Sequence, residues 1–302
     1  MTTENIRTLN FTGVNSIETL TLDELKQTYL EHNISGNPMH NGIYHYDLIE
    51  RIGDICTNHG LDFVIADIFA AQNKRKGYEG VAVAPHLEEK YGKNALQAHA
   101  LRRVFTTIKI NTLEDDDSNT GLAIAYHQNG IQIAIGPNVK ICTNQCILSK
   151  ERIVQTYGAN KVSDLNKVME IVDDWMHNFN AHRAHDVNVL NKMKTIQTNY
   201  RDVMELIGNL TSIRVSKDSK HGSLRGKIKL DTYPLTQAQI TVFTEGYLLK
   251  CLMQESDVMS LYDVYNIATE LHKPGITDMS NIIPQNAAWA ELITEHFKLV
   301  EA

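Results

Sequence analysis

"LAIAYHQNGIQIAIG", residues 122–136, decides how the fold is read. Two runs of alternating side chains flank Gln128-Asn129-Gly130, and Asn-Gly is the dipeptide preferred by a type I′ turn. Alternation on both sides of such a turn specifies a β-hairpin.

Working outward, "RVFTTIKI" (103–110) sets Val104, Thr106, Ile108 and Ile110 against Phe105, Thr107 and Lys109, which is a further strand. "LDFVIADIFAA" (61–71) is a β-rich apolar run, and "VAVA" (81–84) reads as a short strand. Downstream, "VKICTNQCIL" (139–148) reads as a strand entering a turn. Between these lie a basic turn, "QNKRKGYEG" (72–80), and a short helix, "EKYGKNALQAHAL" (89–101). "EDDDSNTG" (114–121) reads as an acidic loop in solvent. Helices precede the strands. Thr21 with Glu24 makes a capping-box pair opening "LDELKQTYLEHN" (22–33), and "SGNPMHNG" (35–42) is a loop. Tyr44, Leu48, Ile49, Ile52, Ile55 and Cys56 then recur at helical spacing up to a stop at Gly60.

After Ser149 the period becomes helical. Ser163 precedes Leu165, Val168, Met169, Val172, Met176 and Phe179. Val187, Leu190 and Met193, then Tyr200, Val203, Met204, Ile207 and Leu210, continue it. Thr236 with Gln239 caps "ITVFTEGYLLKCLM" (240–253), and Ser260 with Asp263 opens a helix that stops at Pro274-Gly275. "AAWAELITEHFKLV" (287–300) is the last helix. Strands and helices are segregated rather than alternating, so the fold class is α+β. An N-terminal half with a mainly antiparallel sheet flanked by helices precedes a mainly helical C-terminal half. The expected divisions are an irregular arm (1–20), a sheet region (21–150) and a helical region (151–302) holding a basic loop, 214–229.

Composition narrows the function classes. Apolar residues make up 42% of the 302, enough for a sizeable core. No run of about 18 consecutive apolar residues could span a membrane, and "MTTENIRTLNFTG" lacks the apolar region of a secretory signal. Four cysteines are too few for a disulfide scaffold and fit a reducing compartment. The net charge is −7, yet 214–229 holds Arg214, Lys217, Lys220, Arg225, Lys227 and Lys229 against Asp218 alone. That stretch carries +5 and the remainder −12, so charge is divided unevenly along the chain.

Cys142 and Cys146 share a strand face only if the strand runs on, about 13 Å apart at ~3.3 Å per residue. That is too far for one zinc ion or a disulfide, and Cys56 and Cys251 sit on apolar helix faces. All four read as small buried hydrophobes. In "MHNFNAHRAHD", His182 and His185 share a helix face, with Asp173 a few turns upstream. They are the only metal-ligand candidates, and a solvated polar helix explains them as well. The chain has no Gly-x-Ser-x-Gly, P-loop or Gly-x-Gly-x-x-Gly motif. No catalytic residue and no cofactor are assigned.

Two segments carry a resemblance. "GIQIAIGPNVKICTNQCIL" (130–148) and "SLYDVYNIATELHKP" (260–274), the latter with Tyr262 or Tyr265, Asn266, Thr269 and Glu270, resemble the phage/plasmid-like proteins of unknown function found on bacteriophages and Bacteroides mobile elements. The resemblance covers residues ~120 to ~295 and implies a phage or mobile-element protein in a bacterial cytoplasm. It carries over no activity.

The function expected is binding of single-stranded nucleic acid, as a recombination or annealing accessory. Phosphate contacts would come from Arg214, Lys217, Lys220, Arg225, Lys227 and Lys229, and from Lys74, Arg75 and Lys76. Tyr78 would stack on a base, and Arg102, Arg103 and Lys109 would line the sheet. The alternative is a protein that docks on and inhibits or redirects a host defence factor, its acidic remainder meeting a basic surface. A homo-oligomer is compatible with either.

Overall fold

The computed structural model describes residues 17–26, 43–66, 68–71, 103–110, 118–127, 130–139, 144–145, 148, 152–155, 162–218, 232–274 and 276–299. Its strands are β1 (Ile17–Leu20), β2 (Phe63–Ile65), β3 (Ile68–Ala71), β4 (Arg103–Ile110), β5 (Ser118–His127), β6 (Gly130–Val139), β7 (Asn144–Gln145), β8 (Ile153–Gln155), β9 (Gln197–Thr198) and β10 (Met259–Ser260). Its helices are α1 (His45–Asn58), α2 (Val162–His177), α3 (Phe179–Thr195), α4 (Tyr200–Asp218), α5 (Gln237–Gln254), α6 (Leu261–Thr269) and α7 (Met279–His296). The class is α+β as expected.

β1 to β8 form one antiparallel sheet whose central path is β1-β3-β4-β5-β6-β7, with β2 added to β4 and β8 to β6. The β5–β6 hairpin is its spine, paired from Ser118 with Val139 to His127 with Gly130. Gly130 enters β6 at a φ of 140°, a value closed to side chains with a Cβ. The pairing of His127 with Gly130 sets the register one position earlier than an Asn-Gly centre would.

Three expectations need correcting. The end of the N-terminal arm is not irregular, because β1 zips onto β3. The acidic loop stops short of 118, because β5 begins there and Thr120 is buried. Nor do strands end at 150, because β8 pairs with Gln132, Ile133 and Ala134 of β6.

Period-two alternation gives the sheet two apolar faces, and both are covered. Ile68, Val104, Ile108, Leu122, Ile124, Ile131, Ile133 and Ile135 share a core with Leu48, Ile49, Ile52 and Cys56 of α1 and Val168, Val172 and Met176 of α2. On the other face Phe105, Ala123, Ala125 and Ala134 meet Met279, Ile282, Ile283 and Ala287 of α7. Small residues there let the helix lie close to the sheet. The second half of α7, with Trp289, Leu292 and Ile293, enters a separate core built with α3, α4, α5 and α6. α7 thus belongs to both halves of the protein.

Local signals set the helix ends. α1 stops in a Schellman motif: Gly60 at φ 68° lets its N–H reach Thr57 O, and the Leu61 N–H reaches Cys56 O. Thr21 and Glu24 form their capping hydrogen bonds at the helical turn 22–26. Thr236 and Gln239 do the same at α5. α7 starts earlier than expected, at Met279, and carries Pro284 inside it. Burial of Ile282 and Ile283 just before the proline and of Ala287 after it outweighs the backbone bond it removes.

Candidate functional site

The histidine-rich stretch forms the most concentrated polar arrangement among the described residues. Asp186 of α3 is 1% exposed and accepts from two residues of the sheet layer. Arg152, just before β8, donates through Nη1 to Asp186 Oδ1, and Thr120 of β5 donates through Oγ1 to Oδ2 at 3.3 Å. Arg152 also reaches His185 Nδ1 from Nη2 at 3.0 Å. Arginine has no acceptor, so His185 Nδ1 accepts and Nε2 carries the hydrogen. Burial first, and then the Arg152 charge, hold His182 below the ordinary histidine pKa.

This geometry works against the candidate metal ligands. A ligand through His185 Nε2 would need the opposite tautomer, with Nδ1–H facing the guanidinium. Asp173 is not part of the arrangement. It accepts from Nε2 of His59, the residue after α1, at 2.9 Å, with His177 against the same ring. No set of three metal-ligating side chains occurs among the described residues. The cluster ties strand to helix: a buried arginine and aspartate hold β5 and β8 to α3.

The expected cations are distributed as follows. Arg103 and Lys109 lie at opposite ends of β4, six residues or roughly 20 Å apart. Arg103 Nη1 donates to Asp278 Oδ2, the N-cap carboxylate of α7, so this cation is engaged within the fold. Burial pushes the Asp278 carboxyl up, but hydrogen bonds from Ser280 and the Arg103 charge more than offset it, and the net direction is down. Lys109 is partly buried opposite Val64 and Gly121. Arg214 and Lys217 fall in the backbone of α4, which runs to Asp218, so the first part of 214–229 is helix rather than loop. Lys74, Arg75, Lys76, Tyr78, Arg102, Lys220, Arg225, Lys227 and Lys229 lie outside the described residues, as do Cys142 and Cys146. Cys56 is buried against the Met176 sulfur, and burial pushes its thiol up to about 11. That makes it a packing group.

Sequence reading missed Arg152, and it named Asp186 only as a member of the histidine group, not as an ion-pair partner. The only available signal was a lone Arg near a strand and an Asp at the end of a histidine run, and neither has a periodic partner. A second missed group is His272, fully buried and donating from Nε2 to Pro234 O at 2.9 Å. Around it Gln239 donates to Leu271 O and Thr277 Oγ1, so polar bonds hold α5 against the segment before α7. No helix among the described residues is long and apolar enough to cross a membrane. Compared with known proteins, the chain matches no family model, no curated protein and no solved structure.

Proposed function

We propose that this protein binds single-stranded nucleic acid without performing chemistry, as an accessory of phage or mobile-element DNA metabolism in a bacterial cytoplasm. One observation carries the reading: residues 214–229 concentrate six cations against one acid in a chain of net charge −7. The basic run continues directly from α4, whose apolar side is anchored in the helical core by Val203, Leu206 and Leu210. A rigid helix leading into a cation-rich segment suits a phosphate backbone, which is recognised by charge rather than by a fixed pocket.

Two structural facts limit where else contact could arise. Bases cannot stack on the sheet where α7 and α1 with α2 cover its faces. Arg103 is occupied by Asp278. The binding function is therefore assigned to 214–229, with Lys74, Arg75 and Lys76 as secondary contacts and Tyr78 as a stacking group.

Titration of a fluorescent oligothymidylate against salt tests this. The affinity should fall steeply with salt, and the charge reversal Lys217→Glu/Lys220→Glu/Arg225→Glu/Lys227→Glu should flatten the log–log slope by about 3, since each single-strand phosphate contact contributes ~0.7. Absence of binding at low ionic strength, or a slope unchanged by the reversal, would dismiss the reading.

A further inference from the structure

Most of the exposed large apolar side chains among the described residues are concentrated at one place. Nine large hydrophobics stand out from the described surface, and six of them, Tyr200, Leu248, Leu249, Leu252, Met253 and Val258, lie at the end of α5 and its neighbours. Leu252 is 75% exposed and Met253 78%. The four residues of α5 are spaced i, i+1, i+4 and i+5, so they occupy one side of the helix. The opposite side, through Phe243 and Tyr247, is in the helical core. Tyr247, on the core side, donates its hydroxyl to Asp257 O at 3.2 Å, which holds the turn before Val258 against the end of α5. Scattered exposed leucines need no explanation, but a contiguous ridge of this kind marks an interaction surface.

The charge around the ridge selects its occupant. Among the described residues around it, Glu245 and Glu255 stand exposed at its two ends and Asp257 beside Val258, against the exposed cation Arg201. Lys250 is taken by Asp263 at 2.7 Å. An acidic rim repels a second copy of the same rim and an anionic membrane surface alike, and it favours cations beside an apolar stripe.

We propose that the α5 ridge docks a basic amphipathic helix of a partner protein, with leucine-type side chains packing on Leu248, Leu249, Leu252 and Met253 and lysines or arginines meeting Glu245, Glu255 and Asp257. Adjacent leucine and methionine side chains suit such an occupant, because their flexible stems repack around different apolar faces. This surface is independent of the nucleic-acid reading, which uses 214–229.

The test uses the full chain and a labelled 18-residue helical peptide of leucine and lysine, with a leucine–glutamate peptide as its counterpart, followed by anisotropy. The wild-type chain should bind the lysine peptide and not the glutamate peptide. Leu252→Ser/Met253→Ser leaves the net charge unchanged and alters only exposed positions, with circular dichroism to confirm the fold. It should weaken binding at least tenfold. Glu245→Lys/Glu255→Lys should weaken the lysine peptide and admit the glutamate one. Unchanged affinity in the serine variant would overturn the proposal. So would a concentration-dependent dimer in sedimentation that the serine variant abolishes while no peptide binds, since the occupant would then be a second copy. Single-strand binding should be the same in all three proteins.

Discussion

Arg152 and Asp186 form an ion pair in which neither side chain retains much water: the arginine is 10% exposed and the aspartate 1%. The two residues are 34 positions apart and belong to different layers, one leading into β8 and the other on α3. Buried pairs of this kind add little net stability as pairs, yet losing one member leaves an uncompensated charge. Asp186→Ala should therefore cost about 3–5 kcal/mol. The double change Arg152→Met/Asp186→Leu should cost less than Asp186→Ala alone. Urea unfolding of the variants measures both, and an additive result would show that the pair is not coupled.

Arg103 separates fold from function. Its guanidinium caps the start of α7 through Asp278. Arg103→Ala should lower stability by about 1 kcal/mol, the scale of one charged hydrogen bond at a half-open site. It should leave oligothymidylate affinity within twofold. A large loss of affinity with unchanged stability would put Arg103 in the binding surface instead.

His272 makes stability depend on pH. Burial pushes its imidazole down to about 4, against the opposing pull of the Pro234 carbonyl. The unfolded chain takes up this proton near 6.5 and the folded chain only near 4, so acid favours unfolding across that window. The stabilisation from keeping His272 neutral is complete above about 6.5 and lost progressively down to about 4, by up to about 3 kcal/mol. His272→Gln retains an N–H for Pro234 without a titrating ring. Its urea midpoint should fall less than that of the wild-type chain between pH 7 and pH 4.5, and parallel curves would contradict the assignment.

Two glycines should respond oppositely to alanine. A Cβ on Gly121 would stand 2.3 Å from the Ile108 carbonyl oxygen, which is backbone within the sheet and cannot rotate away. Gly121→Ala should cost on the order of 3 kcal/mol or more. Gly208 lies exposed in α4 with nothing within 4 Å of its added Cβ. Gly208→Ala should raise stability by about 1 kcal/mol, the helical preference of alanine over glycine. Thermal unfolding of both variants against the parent gives the two signs.

Much of this architecture is written in local pattern. The β5–β6 hairpin, strand β4, α1 with its Gly60 stop and the capping boxes at Thr21 and Thr236 all follow from neighbours two to four residues apart. What local pattern could not show is the destination of each element. The last helix was read only from 287 on, so the half of α7 that covers the sheet was invisible: its stabilisation comes from Ala123, Ala125 and Ala134, about 150 residues away. Thr120 looked like solvent loop for the same reason, its partner Asp186 being distant in the chain.

The site divides along the same line. Alternation and helical spacing in the sequence settled which residues of the hairpin, β4 and α1 face a core and where α5 and α6 begin, because those are contacts between near neighbours. The clustering of charge at 214–229 is likewise a property of the chain alone. Tertiary structure alone decided which charges stay available, since an ion pair depends on who arrives opposite. It tied Arg103 to Asp278, Arg152 to Asp186 and Asp173 to His59, and it left the leucine ridge of α5 facing solvent.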